Sequence, residues 1–213
     1  MKEKDERQRR MVAGKLYNSS DTRLILLRTL TRSRVDRYNR TRAWQIVTRT
    51  RLIKKLFPNG GKSPFFEPPI RTEYGENVTF GDNFYMNFGC MLLDVAPIKI
   101  GNNVMFGPNV IVATPCHPLV AQERIMHNYD DGFHCWEYAK PIEIGDNVWI
   151  ASSVTVCGGV KIGSNSVIAA GSVVVRDIPE GVLAGGVPAK VIRPITDEDR
   201  MFAAQNIAPP TGE

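Results

Sequence analysis

The chain has 213 residues, 43% of them hydrophobic and 23% charged, with a formal net charge of +5. That length holds one domain with an appendage or two small ones, and no apolar run approaches the roughly 20 residues of a membrane span. The start, MKEKDERQRR, lacks a signal-like apolar segment, and the four cysteines form no CxxC pair, so free thiols in a cytoplasmic protein are the expectation.

Charge is uneven along the chain. Residues 1–62 carry 18 Lys or Arg against 5 Asp or Glu, a net of +13, and the remainder carries a net of −8. This basic part also reads as an N-terminal helical segment, residues 1–62. Val12, Leu16 and Tyr17 follow helical spacing, and Asn18-Ser19-Ser20-Asp21 is a break whose last residues can cap the next helix. Leu24, Leu27, Leu30, Val35, Tyr38, Trp44, Ile46 and Leu52 then punctuate an Arg-rich stretch, predicting one or two amphipathic helices that end near Phe57-Pro58-Asn59-Gly60. Nucleic-acid binding is one reading of such charge. No nucleic-acid motif accompanies it, so a solvated face with its apolar side packed on the rest of the chain is preferred. Attraction of a phosphorylated ligand or of acidic surfaces on neighbouring subunits is a third reading.

From residue 63 to 195 the chain repeats every six residues. Phe80, Met86, Leu92 and Ile98 fall at this interval, as do Ile100, Phe106 and Val112; the phase slips by two residues around Asp94 to Pro97, which suggests a local bulge or an enlarged corner. The ladder is clearest in Ile144, Ile150, Val156, Ile162, Ile168 and Val174, each preceded two positions earlier by Ile142, Val148, Val154, Val160, Ser166 and Ser172. Neither a helix nor an isolated strand has this period; a solenoid of stacked coils does. Gly, Asn and small residues at 145, 147, 151, 153, 159, 165 and 171 suit sharp corners and positive φ.

Between Val112 and Ile142 the period vanishes, predicting an excursion loop over about 113–141, and residues 196–213 read as a C-terminal tail. The excursion holds all three histidines, His117, His127 and His134. His117, between Cys116 and Pro118 at the point where the ladder stops, is a candidate general base. Cys116, His117, His127, His134 and Cys135 could be weighed as metal ligands, but no customary ligand spacing is present, so no metal is expected. Cys116 as a nucleophile would need a lowered pKa, for which only His117 is at hand.

Several phrases resemble the maltose and galactoside O-acetyltransferases, a branch of the hexapeptide-repeat acyltransferases. They are Asp146-Asn-Val-Trp-Ile150, Gly158-Gly-Val-Lys-Ile-Gly163, Ala170-Gly-Ser-Val-Val174, Asp177-Ile-Pro179 and Gly185-Gly-Val-Pro-Ala-Lys-Val-Ile-Arg193. Glu67-Pro-Pro-Ile70, Tyr74-Gly75, Asn83-Phe-Tyr-Met-Asn-Phe88, Thr114-Pro-Cys-His-Pro118 and Met11-Val-Ala-Gly-Lys-Leu-Tyr17 extend the likeness over nearly the whole chain. The resemblance implies a mainly β fold, a left-handed parallel β-helix, assembled as a homotrimer with active sites between subunits. It implies direct transfer of the acetyl group of acetyl-CoA to a sugar hydroxyl, without metal.

By the same resemblance His117 is the base and Asn87 the stabiliser of the transition state. Tyr85, Asn87, Asp94 and Glu137 match the acceptor pocket, and Glu73 stands where Ser or Asp is common. Trp149, Ser152, Ala170, Arg176, Lys190 and Arg193 match the path of pantetheine and phosphates, where Arg forks suit the charge. Val175 stands where a Thr is often found, and residues 127–136 look like an insertion beside the pocket. Alternatives are an antibiotic, amino sugar or amino acid as acceptor, or a non-catalytic scaffold with a basic N-terminal binding segment. The γ-class carbonic anhydrases share the repeat, but their three zinc histidines have no counterpart outside the excursion loop.

Overall fold

The structure is a computed structural model that describes residues 5–205 and 207–208. The first four residues, residue 206 and residues 209–213, which end the expected tail, lie outside the described residues. Three helices come first: α1 (Glu6–Val12), α2 (Thr22–Asn39) and α3 (Ile46–Leu56). The carboxylate of Asp21 accepts from the backbone N–H of Arg23 and Leu24, so the expected break does cap the second helix. Leu16 and Tyr17 are not helical. Tyr17–Asn18 is a two-residue strand paired antiparallel with Trp136–Ala139, because the helix has already ended at Val12 and an edge in the excursion offers backbone partners.

The solenoid begins at Asn59–Gly60, whose strand pairs with Val78–Phe80. Each coil contributes one short strand to each of three parallel sheets, five or six strands tall. All twelve residues of the ladder from Ile142 to Val174 are buried. At the corners Asn147, Ser153, Gly159, Asn165 and Gly171 take the expected positive φ. Asn83, Asn103, Asn147 and Asn165 stack along one edge, each amide donating to the next at 2.9 to 3.1 Å. Such side-chain bonds satisfy polar corners that have no sheet partner.

Both ends of the stack are closed. At the start, Leu52, Ile53, Leu56 and Phe57 join the solenoid core, and edge-to-face rings run inward from Phe57 to Phe66, Phe84 and Phe106 at 5.0 to 5.7 Å. At the far end Val182–Gly186 turns back antiparallel against Ala189–Pro194. The basic helices thus pack an apolar side on the solenoid, as expected for Leu24, Val35, Tyr38 and Leu52. Leu30, Trp44 and Ile46 instead remain exposed.

The three outer faces differ. One bears the row Asn59, Thr79, Lys99, Glu143 and Lys161, with Glu143 bridged to both lysines. The second bears Phe65, Tyr85, Met105, Trp149, Val167 and Leu183. The third bears Arg71, Met91, Ile111, Thr155 and Val173. One face is polar and two are largely apolar.

Candidate active site

Successive coils depart from the six-residue rhythm at the same edge of the prism. The slip at Asp94 to Pro97 is an enlarged corner, one of the two forms expected, and it stacks on Glu73 to Asn77 of the coil before. Asp94 is fully buried. Its carboxylate accepts from the Thr72 hydroxyl at 2.8 Å and from the N–H groups of Glu73, Tyr74 and Asn77 at 3.0, 2.9 and 3.4 Å. Thr114, on the next coil, donates to the Leu93 carbonyl and accepts from Ala96 N–H. Here the chain leaves the solenoid, and Lys140 N–H donating to the Thr114 carbonyl closes the base of the excursion.

The excursion is an ordered unit. Its strand Trp136–Ala139 pairs with Tyr17–Asn18 on one side and Pro115–Cys116 on the other. A short helix, α4 (Ala121–Arg124), and a hairpin of His127–Tyr129 with Gly132–His134 complete it. His134 is buried, its Nε2 2.7 Å from Asp131 and its ring stacked on Tyr129 at 4.6 Å. The hydrogen bond from His134 holds the exposed Asp131 carboxyl below the usual carboxylate range. Among the described residues no three of His, Cys, Asp and Glu stand where they could hold one ion. None of the four cysteines is in a disulfide. Burial pushes the Cys116 thiol up, which disfavours the thiolate a nucleophile requires.

His117 follows Cys116 and is exposed. Cys116 pairs with Tyr138 and Pro115 with Ala139, where this short ladder ends; the next residues of the two strands are His117 and Glu137, and Glu137 pairs with Tyr17. Glu73 is half-buried on the same edge, 2.7 Å from Arg32 and 3.6 Å from Arg28. Below it, a cleft of about 440 Å³ is lined by Arg32, Arg71, Thr72, Glu73, Met91 and Leu93. A larger hollow of about 830 Å³ lies over the polar outer face around Lys99, Glu143 and Lys161. Its lining holds carboxylates, lysines and Ser164 but no histidine, and Glu143 there is bridged to Lys99 and Lys161.

Asn87 stands elsewhere. Backbone bonds from Asn87, Gly107, Ala151 and Ala169 each run to the next coil, which stacks these residues with Ser152 and Ala170 along the other border of the Ile111 face. The Asn87 side-chain oxygen accepts from Phe88 N–H at 2.8 Å. A Cβ at Gly107 would lie 2.8 Å from Ser152 N, so the coils touch here with no room for a side chain. Tyr85 and Trp149 share the aromatic outer row, with Tyr85 stacked on Phe65; burial and the Glu67 charge raise the Tyr85 pKa. Arg176 is exposed past the third-face strand Val173–Val174. Lys190 and Arg193 lie on the terminal hairpin, where Arg193 forms a two-pronged bond with Asp199 at 2.6 and 2.7 Å.

One chain therefore brings Glu73, Asp94 and Glu137 around Tyr74, with His117 one residue past the strand that pairs with Tyr138 and Ala139, and separately stacks Asn87, Ser152 and Ala170. It does not bring the two groups together. Arg28 and Arg32, which engage Glu73, are site residues that motif and period do not single out; their (i, i+4) spacing is the available signal.

Asp94 carries a testable cost. Burial pushes its pKa up to about 6 against the lowering effect of the bonds from Tyr74, Thr72 and Glu73. A carboxylate raised in the folded state favours folding while protonated, so its contribution is full below about pH 4 and is lost as pH rises through 6; the difference is about 3 kcal/mol. Asp94→Asn keeps an acceptor for Thr72, Glu73 and Tyr74 without the charge. Urea unfolding at pH 4.5 and 7.5 should show this variant gaining on the parent at the higher pH; an equal difference at both would contradict the assignment.

The family described as bacterial transferase hexapeptide (six repeats) matches residues 141–176, and the maltose acetyltransferase hexapeptide capping motif matches residues 10–61. The galactoside O-acetyltransferase of Escherichia coli K12 is 38% identical over 193 residues, 91% of each chain. That of Lactococcus lactis is 39% identical, covering 87% of this chain and 82% of the relative. Among solved structures, a maltose O-acetyltransferase from Clostridium difficile 630 superposes with a TM-score of 0.83 at 39% identity, over 90% of this chain and 98% of that one. A galactoside acetyltransferase in complex with coenzyme A gives 0.83 at 38% identity, over 92% and 94%.

Proposed function

Because this chain belongs to the hexapeptide-repeat acetyltransferases of the maltose and galactoside type, we propose that it moves the acetyl group of acetyl-CoA onto a sugar hydroxyl with His117 as general base. The observation that supports the reading is the excursion edge, where an exposed imidazole directly follows the strand Pro115–Cys116 that pairs with Tyr138 and Ala139, next to Glu137 in the chain, on the side of the prism that holds the Glu73 and Asp94 corner. His117 takes the acceptor's hydroxyl proton as that oxygen attacks the thioester carbonyl. The new C–O bond forms, the C–S bond breaks, and His117 returns the proton to the departing sulfur. A positioned base supplies about 10²–10⁴-fold, so orientation and donors to the oxyanion supply the remainder. Asn87, whose oxygen is already engaged by Phe88, offers its amide hydrogens for that purpose.

Glu73, Tyr85 and Glu137 line the acceptor, a polyol with hydroxyls for the carboxylates and a ring face for the aromatic. Buried Asp94 holds the corner beneath them. Trp149, Ser152 and Ala170 line the pantetheine path, with Arg176, Lys190 and Arg193 towards the phosphates. Arg193 reaches a phosphate by exchanging Asp199 for it, one two-pronged anion for another.

His117 and Asn87 border opposite edges of one face, so a common site needs a second copy. Two apolar outer faces and one polar face suit a head-to-tail ring that buries the first two and leaves the third in water, which for a triangular prism closes as a homotrimer. No described helix is long and apolar enough to cross a membrane, and the free thiols fit the reducing cytoplasm.

The test is release of CoA from acetyl-CoA with maltose, glucose, a galactoside and an amino sugar offered in turn. Release with a plain sugar is expected. Release with the amino sugar alone moves the reading to N-acetylation, and failure to bind acetyl-CoA removes it.

A further inference from the structure

Two buried polar groups have no role in the proposed transfer. The hydroxyls of Tyr17 and Tyr74 are enclosed yet make no hydrogen bond, and the residues keep 2% and 5% of their surface. An unpaired buried hydroxyl costs about 1–3 kcal/mol, so each such group in a folded protein asks for an explanation. Both belong to one small apolar cluster with Met11, Leu24, Val95, Ala96 and Ala139, tucked under the N-terminal segment.

Position separates them. Tyr17 pairs directly with Glu137 across the antiparallel ladder, and directly opposed residues share a face. On the other side of Glu137 the strand Pro115–Cys116 pairs with Ala139 and Tyr138, and His117 is the next residue of that chain, so continuing the pairing by one residue would complete a row of Tyr17, Glu137 and His117. Burial first, then the Glu137 charge and hydrogen bonding with that carboxylate, push the Tyr17 phenol far above its ordinary range; the two groups lie within reach, though outside strict hydrogen-bond geometry. The other charged or titratable groups facing the row are Arg28 from α2, Tyr74 and Glu73 from the neighbouring corner, Asp94 beneath it, and Lys140 beside Cys116. None of them hydrogen-bonds the Tyr17 hydroxyl.

We propose that Tyr17 is a positioning residue that donates its hydroxyl hydrogen to Glu137 and so fixes that carboxylate against His117. Glu137 is half-buried, and a turn of its side chain closes the gap. It then accepts from one imidazole nitrogen and leaves the other to take the acceptor's proton. The inference rests on His117 being the base. A carboxylate engaged by Tyr17 presents less free charge to the imidazole, so Tyr17 aligns His117 and lowers its basicity together.

Tyr17→Phe removes the hydroxyl and keeps the ring in its cluster. With a sugar acceptor, kcat is expected to fall roughly tenfold, the worth of one hydrogen bond to a charged group, while the KM for acetyl-CoA holds. Combined with Glu137→Gln, Tyr17→Phe should add nothing to the loss caused by Glu137→Gln alone. Followed by NMR without substrates, the His117 imidazole should titrate at higher pH in Tyr17→Phe than in the parent. An unchanged kcat, additive losses in the double variant, or an unmoved His117 titration each overturn the inference. A parent protein that acetylates no hydroxyl overturns the assignment of function instead, and the titration still decides whether Tyr17 acts on His117.

Discussion

Replacing His117 with alanine is expected to lower kcat for sugar acetylation by about 10²–10⁴-fold while acetyl-CoA binds as before. The imidazole lies outside every core cluster and hydrogen bond of the described structure, so its removal costs little stability. The melting temperature should therefore stay within about 2 °C, the range of a surface substitution. Calorimetric titration of acetyl-CoA separates binding from chemistry. Undiminished turnover would sink the mechanism, because its proton transfer runs through this imidazole.

The second large effect concerns assembly. Ile111 sits on the central strand of the Met91, Ile111 and Thr155 face, half-exposed between those two neighbours. Ile111→Glu places a charge there without disturbing Val112, which points into the core. In a ring that buries this face the charge is desolvated and unpaired. The expected result is a folded single chain with circular dichroism like the parent, sedimenting at one third of the parent mass and inactive. An active, still trimeric Ile111→Glu would place the interface elsewhere.

Much of this architecture could be read from the chain because one period governs it. An aliphatic residue every six positions has a single physical use, and the two-residue slip before Ile98 marked the corner that holds Asp94. The short strand at Tyr17 was hidden, since two residues show no period and their partner lies over a hundred positions away. The same applies to the order inside the excursion, which comes from antiparallel pairs of two to four residues. Exposed Leu30, Trp44 and Ile46 kept the pattern of a buried stripe without its burial. The handedness of the coil came only through family likeness, because general chain chirality favours the opposite crossover. As for the proposed site, the break in the rhythm is what makes His117 a candidate. The tie of Glu73 to Arg28 and Arg32, and the placing of Asn87 on a different edge, depend on how coils stack, which residue types do not encode one at a time.

The two closed ends of the stack bear on solubility. Every parallel sheet here presents a terminal row of backbone donors and acceptors, the same template on which cross-β fibrils elongate. At one end α3 and the Phe57 ring cover that template; at the other, one of the three sheets ends in the antiparallel strand Ala189–Pro194 instead of a further parallel coil. The molecule is in this sense a fibril of fixed length, and damage to either stopper would expose a growing tip rather than merely loosen a helix.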